Sequence, residues 1–219
     1  MIRSLAILDF DGTLADSMPV FLEGVNAAAA RWRFRSVEAG ELARLRRLGP
    51  RAIARELRIP AWKTPLVARH LRAVMAARAE GIRLFPGIAD ALNAAADAGA
   101  RMAIVTSNRE ATVRRVLGPA LAGRIDVWEC SVRVFGKARA FRRVLRRAGV
   151  PAERAICVGD ELRDADAARE AGIAFGAVAW GYADPDALRA TGPALWFQQP
   201  EELRRLAAPP SQWQATSGR

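Results

Sequence analysis

Leu5-Ala6-Ile7-Leu8-Asp9-Phe10-Asp11-Gly12-Thr13 decides the reading of this chain. Ser4 to Leu8 is the short apolar run of a buried strand, and Gly12 marks a sharp turn. Asp9 and Asp11 are two residues apart, so in extended chain they share one side and Phe10 takes the other. Two acids on one face at the end of a buried strand repel each other. They coexist only if a cation sits between them or one holds a proton. Phosphoryl transfer uses such a set: a hard divalent ion, a carboxylate nucleophile and a second carboxyl to move a proton.

Two further strand ends and one helix start carry polar groups. Ala103-Ile104-Val105-Thr106-Ser107-Asn108 closes an apolar run with neutral donors able to hold a phosphate oxygen. Ser107 with Glu110 also has the spacing of a capping box. Lys137 stands out because the chain has 32 Arg and only 2 Lys. An ammonium approaches a carboxylate or phosphoryl group as a compact point charge. Ile156-Cys157-Val158-Gly159-Asp160-Glu161-Leu162-Arg163-Asp164 ends another buried strand in Gly-Asp, with Asp164 four residues on at a helix start. N-capping of that helix is the structural reading of Asp164.

Periodicity orders the rest. Helices are predicted over 18–34, 37–47, 51–57 and 66–79, punctuated by Gly49-Pro50 and Pro60. After Phe85-Pro86-Gly87, strands and helices alternate. Strands are predicted over 101–106, 125–130, 154–158, 173–179 and 194–197; helices over 88–98, 110–117, 137–148, 164–171 and 201–206. Gly99, Gly118, Gly149 and Gly172 fall at the expected helix ends. Alternation predicts an α/β fold, a doubly wound parallel sheet with ligands at the carboxyl ends of its strands.

Asp9-Phe10-Asp11-Gly12-Thr13 with Thr106, Lys137 and Gly159-Asp160…Asp164, in that order, resembles the haloacid dehalogenase (HAD) superfamily. Leu14-Ala15-Asp16-Ser17 continues the first motif as in its phosphoglycolate phosphatase-like branch. The C-terminal tail over 209–219, opening on Pro209-Pro210, reads as weakly ordered, with Trp213 able to dock on the core. The resemblance implies a HAD-like Rossmannoid core with a helical cap inserted after the first strand: core over 1–15 and 83–208, cap over 16–82. It implies a Mg²⁺-dependent phosphatase acting on a small phosphorylated metabolite through an aspartyl-phosphate. Asp9, Asp11 and Lys137 are then catalytic. Gly12, Thr106, Ser107 and Asn108 bind substrate. Asp9, Asp11 (through its backbone carbonyl), Asp160 and Asp164 hold the metal, with Glu161 further out. A phosphomutase shares all these motifs, and a non-catalytic phosphometabolite-binding protein is the alternative from another class. Asp11 argues against a dehalogenase. A phosphonate hydrolase needs a cap lysine, for which Lys63 is the sole candidate.

Composition bounds the partners. The 219 residues carry a net charge of +11, but the arginines scatter among acids and alanines without aromatic interleaving, so nucleic acid is not expected. Residues 16–82 hold 13 basic and 6 acidic side chains, a field that would attract an anionic substrate. Arg44, Arg47 and Arg51 are the expected contacts to an anionic leaving group. No apolar run approaches the roughly 18 residues of a membrane span. Met1-Ile2-Arg3 leads straight into the first strand, and Cys130 and Cys157 read as reduced thiols, so a cytoplasmic monomer or homodimer is expected. One histidine, His70, cannot build a zinc site or a Ser-His triad and reads as a helix-surface residue.

Overall fold

The computed structural model describes residues 4–133 and 136–213. Met1 to Arg3, Phe135 beside Lys137, and tail residues 214–219 lie outside the described residues.

The apolar run Leu5–Leu8 forms β1, followed by a two-residue strand β2 (Ala15–Asp16). Then come α1 (Met18–Trp32), α2 (Leu42–Leu45), α3 (Pro50–Glu56) and α4 (Thr64–Ala77). The chain returns through β3 (Arg83–Leu84), which pairs antiparallel with β2. This small ribbon clamps the two connections to the helical insertion side by side. From there run α5 (Ile88–Asp97), β4 (Arg101–Val105), α6 (Glu110–Ala122), β5 (Val127–Glu129), α7 (Lys137–Ala148), β6 (Ala155–Gly159), α8 (Leu162–Ala171), β7 (Ala174–Val178), α9 (Pro185–Arg189) and β8 (Leu195–Phe197).

The main sheet is six-stranded and parallel, in the order β5-β4-β1-β6-β7-β8. β1 is central. Leu8 is in register with Ile104 on one side and Val158 on the other, so Asp9, Thr106 and Asp160 follow at the same edge. Side chains alternate between two apolar layers. Ala6, Leu8 and Phe10 pack with α5, α6 and the 3₁₀ segment Pro200–Ala207. Leu5 and Ile7 pack with α7 and α8. Asp9 continues the second row, which aims it at the helices carrying Lys137 and Asp164.

Several expectations change in detail. The 37–47 helix is a 3₁₀ turn (Ala39–Glu41) followed by the four-residue α2. The 201–206 helix is 3₁₀. Gly118 breaks α6 at φ 74°, ψ 164°, and one turn continues beyond it through Pro119. α9 escaped the sequence reading, although Asp184-Pro185 is a start signal: Asp184 accepts from the Asp186 and Ala187 amides. The capping box on α6 is absent; the helix begins at Glu110 with Arg109 as N-cap and no side-chain cap bond. Asp164 is not the N-cap of α8. Glu161 is, and Asp164 sits three residues in, bonding back to the Glu161 amide. Trp213 is buried in the core, so the tail is docked at least that far.

Candidate active site

Asp9 lies buried at the end of β1. Its Oδ1 accepts from the Phe10 amide at 2.8 Å, and its Oδ2 accepts from Lys137 Nζ at 2.5 Å. Lys137, buried at the first turn of α7, also donates to Asp164 Oδ1. Asp9, Asp160 and Asp164 each bring one carboxylate oxygen within 4.8 Å of the others, all three buried. Burial raises Asp9 to about 7 and Asp164 pushes the same way, against the lowering pull of Lys137 and Arg163. Burial likewise raises Asp160, helped by Glu161 and Asp9. For Lys137 burial works against the ammonium, but Asp164 and Asp9 outweigh it and hold it above the ordinary lysine range. The site thus carries more negative charge than Lys137 balances, held in low dielectric.

Asp11 is turned away from this cluster. Its Oδ1 accepts from Ser17 Oγ at 2.8 Å, and its two oxygens accept from Asn108 Nδ2 at 3.0 and 2.9 Å. Burial raises its pKa while the Ser17 bond opposes. The two strand-end carboxylates therefore have distinct surroundings, one paired with an ammonium and one with neutral donors.

Thr106 and Asn108 meet at the end of β4: the Asn108 amide donates to Thr106 Oγ1 at 3.1 Å. Asn108, expected at the substrate, is occupied by Asp11. Ser107 stands beside it on the wall of a cavity. Gly12 has φ +76°, and a Cβ there would collide with Asp160 Oδ2 and Tyr182. Its role is close approach of the turn to Asp160; its amide is used internally, donating to Ala15 O at 2.9 Å.

Sequence reasoning missed four residues. Ser17 is fully buried and accepts from Tyr182 Oη, 2.5 Å away, because its own hydrogen goes to Asp11. The Tyr182 amide donates to Asp160 Oδ2 at 2.7 Å. Arg46, from the insertion, donates to the carbonyls of Tyr182 (2.8 Å) and Gly181 (2.7 Å). Arg163 pairs with Glu161 at 2.6 Å, and its buried Nε has no partner among the described residues. Tyr182 is the single tyrosine of the chain and follows strand β7 closely, which was the available signal. Ser17 and Arg46 act across long stretches of chain that no local spacing reveals, and Arg163, on α8, was passed over inside the last acidic motif.

The expected arginines are placed elsewhere. Arg44 is paired with Glu56 (2.9 Å) and Glu41 (3.5 Å) within the insertion, and Arg47 with Asp184 at 3.1 Å. None of Arg44, Arg47 and Arg51 lines the cavity that opens at Asp11. Lys63 donates to the Trp32 carbonyl at 2.6 Å, at the end of α1, remote in role from the acidic cluster. His70 is half-buried, edge-on to Trp32 at 5.2 Å. Both cysteines are free, and burial raises each.

Residues 6–178 match the family model for haloacid dehalogenase-like hydrolases. The chain belongs to that family. Within it the chain falls in the phosphoglycolate phosphatase-like branch. It is 29% identical over 198 residues to a phosphoglycolate phosphatase of Synechococcus elongatus, covering 90% of this chain and 93% of that one. It is 32% identical over 219 residues to a phosphoglycolate phosphatase of Xanthomonas campestris pv. campestris, covering 93% and 96%. A solved haloacid dehalogenase-like hydrolase from Streptococcus pneumoniae superposes with a TM-score of 0.76 at 21% identity, over 92% of this chain and 96% of that one. This likeness extends through the insertion as well as the sheet. No helix among the described residues is long and apolar enough to cross a membrane.

Proposed function

We propose that the chain hydrolyses a small phosphorylated metabolite in a Mg²⁺-dependent reaction through an aspartyl-phosphate on Asp9. Its family and relatives make it a phosphoric monoester hydrolase. The observation that carries the mechanism is the divergence of the two strand-end acids: Asp9 faces Lys137 within a buried acidic trio, and Asp11 faces Ser17 and Asn108.

Asp9 attacks phosphorus in line, and the bond from phosphorus to the leaving-group oxygen breaks. Asp11, protonated, gives its proton to that oxygen. Water then attacks phosphorus, Asp11 takes the water's proton, and the bond to Asp9 breaks to restore the carboxylate. Burial favours the protonated form that Asp11 needs first, and Ser17 with Asn108 fixes its direction. Lys137 lies against Asp9 and covers phosphoryl oxygens as they gain charge; Thr106 and Ser107 serve the same group from β4.

An all-oxygen, buried set of three carboxylates, in which burial raises Asp9 and Asp160, suits a hard divalent cation. Asp9, Asp160 and Asp164 would hold Mg²⁺, which when bound neutralises the approach of one anion to another. Residues 16–82 serve as cap, with 1–15 and 83–208 as core and 209–219 as tail; the β2–β3 ribbon is the joint between them.

Because the trio is held apart from water without enough positive charge, Mg²⁺ should stabilise the fold. At about 100 times its dissociation constant a ligand adds ~2.7 kcal/mol. For a chain of this length that raises Tm by roughly 5–10 °C. Asp160→Asn should remove most of the rise and the metal-dependent turnover of p-nitrophenyl phosphate together. An unchanged Tm with Mg²⁺, together with full activity in excess chelator, would refute the metal assignment.

A further inference from the structure

The cavity that opens at Asp11 has a volume of about 270 Å³ and runs from the acidic edge of the sheet into the helical insertion. Its mouth is polar: Asp11, Ser107, Asn108, Arg163 and Tyr182. Beyond the mouth its walls are apolar, built by Phe21, Leu22, Leu45, Ile53, Val67 and Leu71 with further aliphatic neighbours from α1, α2, α3 and α4. The volume is close to the lower end of pockets that enclose small-molecule ligands, about 300 Å³.

Three arginines line the cavity: Arg163 at the mouth, paired with Glu161, and Arg46 and Arg72 beyond it. Arg46 spends its donors on the Tyr182 and Gly181 carbonyls, so it fastens the insertion to the core. Arg72 makes no ion pair among the described residues and is half-buried. The glycolate of phosphoglycolate would reach only the polar mouth, beside Arg163, and would leave the aliphatic walls beyond it uncovered. Burying an ion there is costly; burying methylenes is favourable.

We propose that this chain takes phosphate monoesters whose leaving group is a neutral, apolar alkyl or aryl body seated in the cavity of the insertion. The proposal rests on the phosphatase reading for the phosphoryl end and adds the class of leaving group. The phosphoryl group sits at the carboxylate edge, and the apolar body extends into the space lined by α1, α2, α3 and α4.

The test is a series of n-alkyl phosphates from ethyl to octyl, beside phosphoglycolate. Each methylene moved from water into the cavity should raise kcat/KM by about fourfold until the space is filled. Hexyl phosphate should outrun phosphoglycolate. Calorimetric binding of hexylphosphonate and methylphosphonate tests the pocket without turnover, so failure of the hydrolytic reading would be told apart from failure of this one. Hexylphosphonate should bind at least about 100-fold more tightly, with a negative heat-capacity change. Ala68→Phe, which projects a ring into the wall, should flatten the dependence on chain length. A kcat/KM indifferent to chain length, phosphoglycolate ahead of every neutral ester, or equal affinity for the two phosphonates would overturn the proposal.

Discussion

Asp9→Asn should leave a folded protein whose turnover is lower by about 10⁵-fold or more, the scale on which loss of a covalent nucleophile registers. The amide has the shape of the carboxylate, and its oxygen can still accept from the Phe10 amide as Asp9 Oδ1 does at 2.8 Å. It cannot attack phosphorus. The stability side of this prediction has a definite sign. Asp9 is raised from 3.8 to about 7, burial being the main cause, so the ionised form costs stability that grows as pH rises from about 4 through 7. Without metal at pH 8, the neutral asparagine should therefore melt no lower than the parent. Turnover within tenfold of the parent, or a collapsed melting curve, would contradict the account. Steady-state assays and thermal melts in chelator check both halves.

Lys137→Met should cost both stability and catalysis. Lys137 and Asp9 are each only 4% exposed, and Asp164 is fully buried. Removing one partner of a buried ion pair leaves uncompensated charge and costs about 3–5 kcal/mol, here for two carboxylates sharing one ammonium. For a chain of this length the fall in Tm is roughly 10 °C. Mg²⁺ should recover part of it by supplying charge to the same oxygens. Turnover should fall by about 10³-fold even when Mg²⁺ restores the fold, because a fixed donor to the transferring group is gone. A variant that melts like the parent would mean that the acids are not ionised against Lys137.

The sheet was legible because its strands are short apolar runs, three of which, β1, β4 and β6, end in Asp, Thr or Gly. Register then follows: β1 lies between β4 and β6, and the polar ends of all three fall at one edge. Asp9, Asp160, Asp164 and Lys137 were found because strand end and helix start are local features. Of the partners of Asp11, Asn108 was found, though for the substrate, and Ser17 was not. Ser17 lies beyond a tight turn, and Tyr182 reaches it across 165 residues of chain. Arg46 was passed over for its neighbours Arg44 and Arg47, since charge along a helix says nothing about which cation meets a carbonyl of the core. The positive field of residues 16–82 suggested anion recognition. In the structure Arg35, Arg44 and Arg47 of that set are paired with Glu41, Glu56 and Asp184, and the interior face of the insertion is aliphatic. Net charge reports the solvated side of a helix, whereas the leaving group would meet the other side.

The central claim is that Asp9 becomes covalently phosphorylated. The most direct measurement mixes enzyme and substrate, quenches in acid during turnover and reduces with borohydride, which converts an aspartyl-phosphate to homoserine. Peptide mass spectrometry then locates the changed residue. The account predicts homoserine at Asp9, dependent on substrate and on Mg²⁺. Homoserine at Asp11, or an unmodified Asp9 together with inversion of configuration at phosphorus, would contradict it.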